Sequence, residues 1–230
     1  VPNVGRTRLR APWTAIRRRS DTRTKVMETH VMKRSDTISA PLRVRRPFLK
    51  DFPAILEISN WATCHTAANF KTEPDSLERW EDLWRGKAET FPWLVAETDD
   101  TVIGFAMTSP FHGRCGCTFA VEVSVYVHPD HLGKRVGSAL YGHLIPTLET
   151  QGFRTVIAVI AIPNPASERL HEAYGFRRVG LIARAGWKFG RWHDLAYWQL
   201  MLGDRDDHEE PHCVRNLHEI RAASTNGRDA

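Results

Sequence analysis

The sequence predicts an α+β domain, and three observations carry that expectation. Val121, Val123, Val125 and Val127 alternate with Glu122, Ser124 and Tyr126, which is the period of a strand. After His128-Pro129-Asp130 and a run bearing Gly133 and Gly137, Val136, Leu140, Leu144 and Leu148 draw an apolar stripe with helical spacing. Further on, Thr155–Ile162 is continuously apolar, as suits a strand covered on both faces. Strand, glycine-bearing loop and helix start together offer several N–H groups, backed by the helix dipole, to a phosphate.

Taken in order, Leu42–Arg45 is a short strand, and Pro47 opens a helix whose apolar face is Phe48, Phe52, Ile55, Leu56 and Ile58. Ser76 caps a second helix, Leu77 to Lys87, in which Trp80 and Trp84 read as core more readily than as a pocket wall. Trp93–Glu97 and Thr101–Ser109 flank Asp99-Asp100 as a hairpin. The strand at Val121 and its helix follow, the helix ending at Gly152. Pro163-Asn164-Pro165 leads into a helix from Ala166 to Tyr174, and Arg177–Arg184 and Leu195–Leu202 are the last strands, with Gly186–Asp194 between them.

At 230 residues and 42% hydrophobic, the chain holds one ordinary core. Its formal charge of +5 is unevenly placed. Residues 1–41 carry ten Lys and Arg against three Asp and Glu, and residues 203–230 carry four against seven. The basic balance therefore belongs to an N-terminal extension expected to be disordered, not to a nucleic-acid-binding face. Residues 203–230 read as a polar, disordered tail, leaving 42–202 as the domain. No apolar run approaches the ~20 residues of a membrane span, and the four cysteines lack a disulfide or metal-site spacing. A cytoplasmic protein without metal or membrane partner is expected.

The words VEVSVYVHPDH, GSALYGHL, AVIAIPNPASERLHEAYGF and GWKFGRWHDLAYWQ, with NFKTEP and FPWLVAE upstream, resemble the GNAT superfamily of acetyl-CoA-dependent N-acetyltransferases. Within it they are similar to the phosphinothricin N-acetyltransferase family, over roughly residues 42–202. The resemblance implies the GNAT fold: a mixed, twisted sheet splayed between its fourth and fifth strands, flanked by about four helices. It implies that the backbone of Val125, Tyr126 and Val127 holds the pantetheine and thioester. Gly133, Lys134, Arg135, Val136, Gly137 and Ser138 would wrap the pyrophosphate, and Asn164 would reach the pantetheine. It also implies a homodimer.

An ammonium has no lone pair, so an acetyl acceptor must lose a proton. Glu122, inside a valine strand, matches the family's candidate base; its alternative is a structural ion pair. His171 matches a histidine held to be an acid or second base, against simple packing. Phe70, Lys71, Arg114 and Lys188 are the candidate acceptor contacts, the cations serving to clamp a carboxylate or phosphinate.

Two departures stand out in the pyrophosphate loop. Leu132 replaces a polar residue, and Arg135 replaces a glycine. In the acceptor pocket Ala62, Cys64 and Cys117 stand where tyrosine, glutamate and tyrosine are usual. The implied activity is direct transfer to a small amino acid or analogue of the phosphinothricin or methionine sulfoximine type. Acetylation of a protein N-terminus or lysine, and non-catalytic acyl-CoA sensing, are the alternatives.

Overall fold

A computed structural model describes residues 41–113, 115–203 and 213–226. Its strands are β1 (Arg43–Arg45), β2 (Trp93–Thr98), β3 (Thr101–Pro110), β4 (Ala120–Val127), β5 (Thr155–Ile162), β6 (Arg177–Lys188) and β7 (Arg191–Met201). They form one sheet in the order β1-β2-β3-β4-β5-β7-β6. Five helices accompany it among the described residues: α1 (Phe52–His65), α2 (Leu77–Arg85), α3 (Val136–Gln151), α4 (Pro165–Ala173) and α5 (Leu217–Asn226).

The pleat of β4 divides the core. Val121 and Val123 pack with Leu140, Leu144 and Leu148 of α3, while Tyr126 joins Phe105, Trp80 and Trp93 under α1 and α2. Trp80 is core, edge-on to Trp93 and Phe105. Within the sheet only β4 and β5 run parallel. They pair from Ala120↔Thr155 to Val123↔Ala158 and then part, so Ser124–Val127 and Val159–Ile162 continue without each other. This is the expected splay.

Three expectations are corrected. The first helix starts at Phe52, not Pro47. A 3₁₀ turn at Leu49–Asp51 precedes it, and Phe48 is exposed at 59%. It also runs on to His65. The last two strands reach much further than Arg184 and Leu195. They meet at a two-residue turn, Phe189-Gly190, with φ of 50° and 74°, which suits a twisted hairpin. Finally, the tail expected to be disordered contains α5, with Leu217 buried and its N–H donating to the Glu89 carbonyl. The N-terminal extension, apart from Pro41, lies outside the described residues.

One buried ion cluster ties β1 to the hairpin and to the entry of α1. Arg45 donates to Glu97 through Nε (2.8 Å) and Nη2 (2.6 Å), and to Asp51 at 2.6 and 3.0 Å. Both carboxylates are buried. Burial alone would raise the Asp51 carboxyl, but the Arg45 hydrogen bond and the Phe48 N–H hold it below its ordinary value. Removing the guanidinium strands the buried Asp51 anion and leaves Glu97 only the exposed Arg43, at 3.6 Å.

Arg45→Met should therefore cost about 3 kcal/mol in a denaturant titration at neutral pH. The carboxylate's stabilising contribution is present above its unfolded pKa and is lost as pH falls through the depressed folded value. The gap between parent and variant should accordingly narrow in acid.

Candidate active site

Backbone direction along β4 follows from its pairing with β3. His128 N–H donates to the Ile103 carbonyl at 2.8 Å, and the register runs unbroken from Gly104↔Val127 to Pro110↔Val121. In an antiparallel pair alternate residues point their N–H and C=O the same way. His128, Tyr126, Ser124 and Glu122 thus bond to β3, while Val121, Val123, Val125 and Val127 point toward β5. Pro110, with no N–H, sits opposite Val121 where none is needed. Because β5 leaves after Ala158, the backbone groups of Val125 and Val127 have no strand partner. Tyr126 does not share this freedom: its backbone belongs to β3, and its side chain faces α1.

At the end of β4 the chain turns into α3. Gly133 takes φ 78°, where a Cβ would meet nothing but would strain the backbone. Arg135, the N-cap, also adopts the left-handed region (φ 59°) and gives no side-chain cap. The first bond into the helix is Ala139 N–H to Arg135 O at 3.0 Å. The N–H groups of Val136, Gly137 and Ser138 are left for an outside acceptor. Gly137 lets α4 pack closely, since a Cβ there would lie 2.9 Å from the Leu170 Cδ2 and displace that side chain.

The parted strands open a cleft of about 730 Å³. It is lined by Val125, Val127, Gly133, Arg135, Val136, Gly137 and Ser138 on one flank and by Asn164, Ser167 and His171 on the other. Lys134 lies in the same turn but not on the wall. Asn164 caps α4 by accepting from Ser167 N–H through Oδ1 (3.2 Å), so its Nδ2 remains available. His171 is buried with both ring nitrogens engaged. Nδ1–H donates to the Ser167 carbonyl (2.7 Å), and Nε2 accepts from the Tyr141 hydroxyl (2.7 Å). Burial holds the ring below its ordinary pKa. Neither ring nitrogen is free of a protein partner.

On the α1 side the walls are Trp61, Ala62, Thr66, Ala67, Ala68, Ser124 and Tyr126. Glu122 shares the face of Ser124 and Tyr126, half-buried and one residue pair behind the lining. Burial raises its carboxyl above the usual range, and the His112 ring draws it part-way back. Glu122 has no ion-pair partner among the described residues. The Tyr126 hydroxyl is raised by burial and lowered by the facing Asn69 amide, with Glu122 pushing it up further.

The expected acceptor contacts fall elsewhere. Lys71 pairs with Asp75 and lies 5.3 Å over the Trp80 ring. Phe70 covers Gly186, and the Lys188 amine is buried against Asn69; none of these three lines the cleft. Arg114 lies outside the described residues. Sequence reading missed Tyr141, partner of His171 across 30 residues, and the Tyr126 side chain. Tyr141 sits one residue past Leu140 in the apolar stripe, which gave no hint of a polar role.

A family model described as "Acetyltransferase (GNAT) family" matches residues 55–176. The chain belongs to the GNAT family of acetyltransferases. It is 40% identical over 159 residues to a phosphinothricin N-acetyltransferase of Streptomyces viridochromogenes, covering 69% of this chain and 87% of that one. It is 38% identical over 164 residues to an L-methionine sulfoximine/L-methionine sulfone acetyltransferase of Salmonella typhimurium, covering 70% and 93%. Among solved structures it is similar to a GNAT superfamily phosphinothricin acetyltransferase of Sinorhizobium meliloti in complex with acetyl-CoA. That match has TM-score 0.70 and 34% identity, over 74% of this chain and 93% of that one. The GNAT chain described here is thus an acetyl-CoA-dependent acyltransferase.

The αL geometry at the N-cap explains the family's glycine there and the burden of Arg135. Arg135→Gly should raise stability by about 1 kcal/mol in chemical denaturation. Coenzyme affinity should change little if N–H donors do most of the holding; a tenfold gain would mean that the arginine obstructs the loop.

Proposed function

We propose that this GNAT enzyme acetylates the free amine of a small amino acid or analogue, of the phosphinothricin or methionine sulfoximine type, within a ternary complex. The observation that carries this reading is the two-sidedness of β4. Its unpaired backbone groups at Val125 and Val127 open beside the bare N-terminus of α3, while its opposite face presents an unpaired, half-buried carboxylate.

The cleft fits the coenzyme on chemical grounds. Bound there, acetyl-CoA supplies an activated acyl group on a thiol leaving group. The N–H groups of Val136, Gly137 and Ser138, with the helix dipole behind them, hold a pyrophosphate, and Lys134 and Arg135 add positive charge. Val125 and Val127 pair with the amides of an extended arm as an added strand would. One of their N–H groups meets the oxygen on which negative charge develops. Asn164 Nδ2 donates from the α4 flank.

Glu122 removes the acceptor's proton, relayed through water because its carboxylate stands behind the lining. Its raised pKa narrows the gap to the amine and makes it a better base once ionised. His171 acts as a positioning residue, fixing α4 to α3 through Tyr141.

The family resemblance to homodimers finds support in β6. This outer strand is exposed at every residue from 177 to 185, with Val179, Leu181 and Ile182 bare beside Trp187, Phe189 and Trp192 at the hairpin end. Such an apolar edge is an open template for pairing, and a second copy covers it in this reading. The free thiols Cys64, Cys117 and Cys213 suit a reducing compartment such as the cytoplasm.

A panel of free amines with acetyl-CoA, followed by thiol release, tests the activity. Glu122→Gln should lower kcat/KM by about 10²- to 10⁴-fold while leaving coenzyme Kd in place. In the parent, kcat/KM should climb as pH rises through the elevated Glu122 value, and the variant should lose that limb. Leu181→Glu should shift the light-scattering mass from two chains to one.

A further inference from the structure

The acceptor side of the cleft is walled by a loop, Thr66 to Ala68, that has no regular structure of its own. Immediately behind it stand Asn69 and Phe70, and both are gripped by the β6–β7 hairpin, 119 residues away in sequence. The Lys188 amine donates to the Asn69 main-chain oxygen at 3.0 Å and reaches its Oδ1 at 3.5 Å. Lys188 is only 6% exposed and meets no carboxylate among the described residues. Its own carbonyl accepts from the buried His193 Nε2 at 3.0 Å, which fixes the lysine's backbone.

Phe70 lies flat against the hairpin where Gly186 leaves room; a Cβ there would come within 2.6 Å of the ring. On its other side Asn69 Nδ2 donates to Thr63 Oγ1 (3.2 Å), and that hydroxyl donates to the Ser59 carbonyl of α1 (3.0 Å). The amide also faces the hydroxyl of Tyr126, a residue of the cleft wall. Asn69 is therefore a junction between α1, β4 and the hairpin, and a buried ammonium closes it.

We infer that Lys188, through Asn69, is a positioning residue for the acceptor wall: the hairpin clasps the 66–70 loop and so sets the fit of the amine substrate. Lys188 was expected to touch the acceptor itself, but its amine is turned to the back of the wall. A buried cation bonded only to neutral oxygens is costly. Placed where it immobilises a main-chain carbonyl next to the cleft, it converts that cost into a fixed loop. The coenzyme flank, made by α3 and α4, has no part in the clasp. This inference rests on the proposed acyltransfer, with the amine entering from the α1 side.

The test compares the full-length parent with Lys188→Met, Lys188→Arg and Gly186→Ala, each checked for cooperative unfolding. In Lys188→Met, amides of residues 66–70 should exchange with deuterium about tenfold faster or more, while those of 136–140 keep their rates. With the best acceptor of the amine panel, its KM should rise about tenfold, with coenzyme Kd within about twofold of the parent. Arginine keeps two donors for the Asn69 oxygens and should recover much of both effects. Gly186→Ala, which displaces Phe70, should move the same two readouts.

Unchanged exchange at 66–70 in Lys188→Met overturns the clasp. Faster exchange with acceptor KM and coenzyme Kd shifting together overturns the acceptor-specific role and leaves a merely structural lysine. If the parent acetylates no amine at all, the activity reading fails, whereas the exchange result still decides the clasp.

Discussion

Two valines in one strand have backbone groups with nowhere to go. Hydrogen-bonding capacity in a protein interior must be satisfied, and Val125 and Val127 sit where β5 has already veered off. Their N–H and C=O groups therefore await water or an extended ligand, and the surrounding elements are placed by the same divergence. α3 begins just beyond the end of β4, and α4 just beyond the end of β5, so the positive ends of two helices converge at the mouth of the wedge. Clefts outside the carboxyl ends of parallel strands are natural ligand sites, and here one parallel pair suffices.

The pleat of β4 then sorts the chemistry. Odd-numbered residues give valine side chains to the α3 core and backbone to the wedge; even-numbered ones give Glu122, Ser124 and Tyr126 to the α1 face. A strand with one polar face inside a sheet is expensive unless that face is used. The raised carboxyl of Glu122 is the electrostatic trace of that expense. By contrast the carboxylates of the Arg45 cluster, more deeply buried than Glu122, each hold a hydrogen-bonded cation and lie at the far edge of the sheet, where nothing needs to react.

What could be read in the sequence was local. The valine alternation, the four-residue stripe of α3 and the Asp99-Asp100 turn each specify an element within a few residues of themselves. The site's polar partners were not local. Tyr141 meets His171 across 30 residues, and no pattern in either segment signals the other. The extent of β6 and β7 was hidden by Gly186 and Gly190, which made Gly186–Asp194 read as a connection, yet the two strands zip to a two-residue turn. The start of α1 was misplaced because Pro47 is a good opener on paper. Asp51 instead turns back to Arg45 and to the Phe48 N–H, which delays the helix to Phe52. Family likeness assigned Tyr126 by its backbone, where the alternation of the ladder frees only its neighbours.

Past the last strand, the polar stretch read as a disordered tail, yet part of it packs against α3. Gln151, wholly enclosed, donates through Nε2 to the carbonyls of Thr90 and Arg215 and receives the Arg215 N–H on its main-chain oxygen. A shortened chain stopping near Gly203 would hand the foot of that helix to solvent, at the end opposite the glycine-bearing turn. Anyone trimming the molecule for crystals should therefore keep everything through residue 226.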